Sequence, residues 1–181
     1  MKIRSFQSYV VIALASLLVS CSSSKTYFTP QIRQKIESSG TQLTQLQFYI
    51  DRDVELSREI VQGETKVTSG TVRFENGKSL NIILLKKNTP GVCTDVAPDK
   101  VLLSFEIGDG KILTFGRSKN GTTDDAYKIL ANSWISNYGM INYEGKKYFI
   151  HKGTDASIKI KTSELNQVNV NKRKMAGRKV N

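Results

Sequence analysis

The chain offers one imidazole, His151, and two thiols, Cys21 and Cys93, as groups able to exchange protons or attack carbon near neutral pH. A single histidine excludes any metal site or proton relay that needs two imidazoles. A serine triad would have to use His151 with Asp155 or a more distant acid, and no Gly-x-Ser-x-Gly turn presents a nucleophile. Cys93 and His151 make a thiol–imidazole pair only if the fold joins them, because nothing in Thr89-Pro90-Gly91-Val92-Cys93-Thr94-Asp95-Val96 sets a base beside the sulfur. The expectation is a buried, inert Cys93 and a strand-end His151. A hydrolase or thiol enzyme using Cys93 and His151 is the catalytic alternative. Asp124-Asp125 can reach one cation, but a calcium loop needs four or more spaced oxygen ligands, so a solvated loop is expected. Gly108-Asp109-Gly110 joins two apparent strands and opens no helix, so it is not a phosphate cradle. No metal and no dissociable cofactor is expected.

The second thiol has a different setting. Met1-Lys2-Ile3-Arg4 carries two cations, and Val10 to Val19 is a short apolar run. At about 1.5 Å per residue that run reaches about 15 Å, half of a roughly 30 Å hydrocarbon core, so it fits an export signal better than a span. It ends in Leu18-Val19-Ser20-Cys21, which resembles the lipobox of bacterial lipoproteins. The resemblance implies a diacylglyceryl thioether on the Cys21 sulfur, cleavage before Cys21, and acylation of the freed amine. Residues 1–20 are then a signal peptide, and 21–28 carry the lipid and a polar tether that includes Ser22-Ser23-Ser24-Lys25. Two or more acyl chains anchor stably without crossing the membrane. Position 22 is not Asp, which by analogy with Gram-negative sorting favours the outer membrane; the facing side is left open. The polar stretch from Gln31 to Glu59 is similar to uncharacterised Gram-negative envelope lipoproteins, a likeness that implies no activity.

The formal net charge is +11. Loss of Lys2 and Arg4 leaves about +9. In an exported protein this points away from nucleic acid and toward anionic lipid, acidic polymer or a protein partner. The segment 171–181 holds Lys172, Arg173, Lys174, Arg178 and Lys179 and no acidic side chain. It reads as a disordered basic tail, with an electrostatic clamp on an anionic surface as its functional alternative. Trp134, Tyr138, Tyr143, Tyr148 and Phe149, with Lys146 and Lys147, form a candidate binding surface. The plainer expectation puts Trp134 and Phe149 in the core and leaves the tyrosines half exposed.

Positioning these groups falls to a mainly β chain over residues 29–170. Thr29, Pro30 and Gly40 bracket a short helix with Ile32 and Ile36 on one face. Beyond it the period shortens to two. Leu46, Phe48 and Ile50 alternate with polar residues, and Val54 to Val61 follows. Hairpins are expected at Glu75-Asn76-Gly77, Gly108-Asp109-Gly110 and Glu144-Gly145. Leu80 to Leu85 is apolar at both parities, as in a strand covered on both faces. Ala126 to Ala131 fits a strand or a helical turn. Ile158 and Ile160 alternate with Lys159 and Lys161, lysines that would guard a sheet edge. The expectation is an antiparallel barrel or sandwich with one N-terminal helix. Gly91 to Phe105 is loosely similar to small bent barrels of the KOW and Tudor kind, which gives two small barrels split near 119–124 as the alternative. Function is then expected to be binding or scaffolding. An inhibitor or immunity-type protein is a further alternative, predicting an uncharged exposed edge strand or an apolar patch.

Overall fold

The computed structural model describes residues 24–61, 70–117 and 125–165. The segment expected to be a signal peptide, Cys21 and the basic C-terminal segment lie outside the described residues. Helix α1 (Pro30–Ser38) forms as its ends dictate. The Thr29 hydroxyl accepts the Ile32 N–H at 3.3 Å, and Gly40 leaves the helix at φ 81°. Ile36 is buried, and so is Arg33, whose guanidinium donates to the Tyr127 hydroxyl at 3.2 Å and to Glu37 at 2.8 Å. No helix of the described residues is long and apolar enough to cross a membrane.

Among the described residues thirteen strands build two antiparallel sheets. The seven-stranded sheet holds β1 (Lys25–Tyr27), β2 (Gln47–Ile50), β6 (Pro90–Val96), β7 (Lys100–Ser104), β8 (Ile112–Gly116), β9 (Lys128–Ile129) and β13 (Ile158–Lys161). Their spatial order is β1-β13-β2-β6-β7-β8-β9. The six-stranded sheet holds β3 (Val54–Glu59), β4 (Thr71–Glu75), β5 (Lys78–Leu85), β10 (Ser133–Ile135), β11 (Tyr138–Tyr143) and β12 (Lys146–Lys152), in the order β10-β11-β12-β3-β5-β4. Neither sheet closes into a barrel; the architecture is sandwich-like. Two barrels divided near 119–124 are not what the chain builds. Strands from both sides of that segment enter both sheets: β12 pairs with β3, and β13 with β2. Gly91 to Phe105 accordingly runs through the middle of the large sheet.

Local turn chemistry fixes two of the hairpins. Asn76 and Gly77 sit at φ 49° and 75° between Glu75 and its partner Lys78. Glu144 and Gly145 sit at 52° and 71° between Tyr143 and Lys146. Paired positive φ values give the twist a two-residue hairpin needs. Two expectations need correction. β13 is no edge: β1 covers it on one side and β2 on the other, so Lys159 and Lys161 guard nothing. β5 is internal, but Leu84 is 45 % exposed while Asn81 is buried, so the strand is not covered on both faces. Ala126 to Ala131 resolves as the two-residue strand β9.

The sheets share one core. Phe48, Ile50, Leu103, Ile158 and Ile160 from the larger sheet meet Val54, Leu56, Ile141 and Ile150 from the smaller. Asp51-Arg52-Asp53 carries the chain from β2 to β3. Buried Asp51 accepts the Ser157 N–H at 2.8 Å and pairs with Arg52 at 3.0 Å. Asp53 accepts the Lys87 N–H at 2.8 Å, and this bond, more than any other influence, holds its carboxyl below its ordinary pKa.

Candidate functional site

Cys93 and His151 are not brought together. Cys93 is 5 % exposed and belongs to the core beneath the larger sheet. Its thiol donates to the Asp95 carbonyl at 3.3 Å, and burial pushes its pKa up, away from a reactive thiolate. His151 lies on the outer side of β12 in the other sheet, its ring centroid 4.8 Å from that of Tyr138. A whole sheet therefore stands between thiol and imidazole, and facing sheets are about 10 Å apart. Asp125 accepts the Gln31 amide at 3.2 Å, while Asp124 is outside the described residues. Among the described residues no three His, Cys, Asp or Glu side chains converge as metal ligands.

The aromatic cluster separates by strand parity. Tyr143 and Tyr148 point inward and are 4 % and 1 % exposed, the reverse of the half-exposed tyrosines expected from the sequence. Their hydroxyls are satisfied inside. Tyr148 donates to the Asn81 Oδ1 at 2.7 Å and accepts from the Arg58 Nε at 3.3 Å. Tyr143 donates to Glu106 at 2.5 Å; burial, then this carboxylate, pushes its phenol well above the ordinary value. Lys111 ties Glu106 to Glu144, at 3.1 Å from each. This cluster stands at one end of the sandwich, beside a cleft of about 210 Å³ walled by Leu56, Ile83, Leu85, Phe105 and Leu113. Glu106, Lys111 and Glu144 carry no signal in the sequence, because the β7–β8 loop meets the β11–β12 turn only in the fold.

Trp134 is the second reversal. It is 52 % exposed on edge strand β10, where it opposes Gly139, and its ring rests against that glycine. Tyr138 is 43 % exposed but opposes Ile135, so it points to the other face of the sheet from Trp134. The surface that does assemble is on the outer face of the six-stranded sheet. Ile135, Tyr138, Phe149, His151 and Leu80 line a groove of about 360 Å³ there, bordered by the Glu59–Lys78 ion pair at 2.7 Å. Lys147 is exposed and Lys146 half-buried, and neither lines this groove. No family model, curated protein or solved structure matches the chain. The site's chemistry must therefore be read from its own side chains. They offer an apolar floor, one imidazole packed at a tilt against a phenol, and charges that are already paired. This arrangement suits docking of apolar side chains.

Proposed function

We propose that the protein is a non-catalytic, lipid-anchored binding module of the bacterial envelope, held by acyl chains on Cys21 in the outer membrane. It engages a protein partner through the outer face of the six-stranded sheet. One observation carries this reading: a face that also holds Glu55, Glu59, Arg73 and Lys78 is crossed by an exposed apolar track, where a sandwich normally meets water with polar residues. Ile135 is 57 % exposed, and Tyr138, Phe149 and Leu80 continue the track. An acidic polymer fits this face poorly, because Lys78 is already neutralised by Glu59. A protein fits better because the adjoining edge, Ser133-Trp134-Ile135, is uncharged and is last in its sheet among the described residues, open to an added strand. The same edge favours a second reading within this class, an inhibitor-type protein that lays β10 against an enzyme.

The test is site-specific photo-crosslinking in intact cells. A photoreactive side chain at Ile135 or Tyr138 is expected to capture one discrete partner, and the same group at exposed Thr94 on the other sheet is not. Adding Leu80→Asp should abolish capture without lowering the yield of folded protein. Equal capture from all three positions would refute the assignment.

A further inference from the structure

The geometry points to a second surface, the outer face of β1, β13 and β2, as a contact for anionic lipid head groups that sets how the domain stands on its membrane. This rests on the Cys21 anchor proposed above. The pairing Lys25↔Lys161, Tyr27↔Lys159 and Lys159↔Tyr49 puts three lysines and two tyrosines on one side of three adjacent strands. The opposite side, with Phe48, Ile158 and Ile160, is core. Lys25 Nζ lies 4.3 Å from the Tyr49 ring centroid, Lys159 Nζ 4.3 Å from that of Tyr27, and Lys161 Nζ 5.8 Å from that of Tyr49. Lys25 also donates to the Asn88 side chain at 3.3 Å. Among the described residues none of the three ammonium groups forms a salt bridge; Glu164 is the acid that feels Lys161. Ammonium groups seated over tyrosine rings bring cations and amphipathic aromatics together on one face, the residue types that collect at a water–lipid interface.

Tether length selects a bilayer over other polyanions. Lys25 follows Cys21 by four residues, so a taut chain of about 14 Å is the farthest it can stand from the lipidated sulfur. Lys161, paired with Lys25, is at the same corner. The tether keeps Lys25 within about 14 Å and its strand neighbour Lys161 within roughly 19 Å of the anchor, so both can settle inside the Debye length of about 8 Å at the head groups. The two sheets present their outer faces in opposite directions, so seating this one on lipid turns the Ile135–Tyr138 groove toward the aqueous side.

Full-length lipidated protein, reconstituted in phosphatidylcholine vesicles with or without phosphatidylglycerol, supplies the test. Acetylation of Lys25, Lys159 and Lys161 by a water-soluble ester is expected to fall severalfold on the anionic vesicles and to recover in ~1 M salt, where the Debye length is about 3 Å. Lys147 should react equally in both. A Tyr27→Trp, Trp134→Phe variant should be quenched by head-group spin labels on anionic vesicles only, while Trp134 of the wild type stays unquenched. Charge-independent labelling and quenching, or quenching of wild-type Trp134, overturns the surface while flotation on neutral vesicles leaves the anchor standing. Loss of that flotation overturns both. Salt-sensitive binding to soluble polyphosphate without protection on anionic vesicles assigns the lysines to an acidic polymer and overturns the lipid contact.

Discussion

Tyr148→Phe removes one hydroxyl from the inside of the sandwich and leaves the ring in place. That hydroxyl is an acceptor for the Arg58 Nε and a donor to the Asn81 Oδ1, and Asn81 is 0 % exposed. Loss of the neutral bond costs about 1 kcal/mol, and loss of the bond to a charged donor about 1.5–3 kcal/mol. Arg58 and Asn81 each have further interactions, so neither is stranded, and the smaller end of the combined range applies. The expected loss is about 2.5 kcal/mol, equivalent to a fall in Tm of roughly 5–10 °C for a domain of this size. Urea unfolding followed by circular dichroism measures it. Tyr127→Phe is the comparison. Its hydroxyl serves Arg33 alone, which keeps Glu37, so one charged bond is lost and a cost of about 1.5 kcal/mol is expected. A Tyr148→Phe loss below about 0.5 kcal/mol, or equal losses for the two variants, would mean that the Arg58–Tyr148–Asn81 chain does not hold the sheet interior.

Cys93 should resist Ellman's reagent in the native protein and react at once in denaturant; rapid native labelling would contradict a buried thiol. Gly153 has φ 80°, and a Cβ there would come within 2.5 Å of the Asp53 carbonyl oxygen. Gly153→Ala should therefore cost about 2 kcal/mol or more in urea unfolding, against near-neutral Lys147→Ala. Glu164 buries one carboxylate oxygen without a hydrogen-bond partner, and burial outweighs the Gln47 N–H and Lys161 in raising its pKa above 4.5. A raised folded pKa contributes stability that is full below the unfolded value and is lost as pH rises through the folded one. Stability of the wild type relative to Glu164→Gln should thus decline from pH 4.5 upward, and parallel pH profiles for the two proteins would count against the buried carboxylate.

Short-range chemistry made much of this architecture readable. Asn76-Gly77 and Glu144-Gly145 announce hairpins because the φ values a two-residue turn needs are properties of those residues alone. The helix is equally local, set by Thr29 and Gly40. Which strand neighbours which is not local. Lys159 and Lys161 look like edge guards until Phe48 pairs with Ile160 and Lys25 with Lys161 from far along the chain. The candidate surface failed for a related reason. Period-two alternation divides β11 and β12 into two faces, but both carry large apolar side chains: Ile141, Tyr143, Tyr148 and Ile150 on one, Tyr138, Met140 and Phe149, among Asn142, Lys147 and His151, on the other. Nothing in the strand itself says which face the second sheet will cover. Parity did separate Cys93 from Val92, which is 51 % exposed, but the register shift between Cys93 and Asp95 releases Asp95 from the buried side.

The lipid proposed on Cys21 would decide which partners the Ile135–Tyr138 face can meet, and it is open to direct measurement. Mass analysis of protein extracted from bacterial membranes is predicted to give an N-terminal peptide that begins at Cys21 and carries a diacylglyceryl thioether with an acylated amine. A product that still begins at Met1, or one cut before Cys21 with a free thiol, would contradict the anchored binding module.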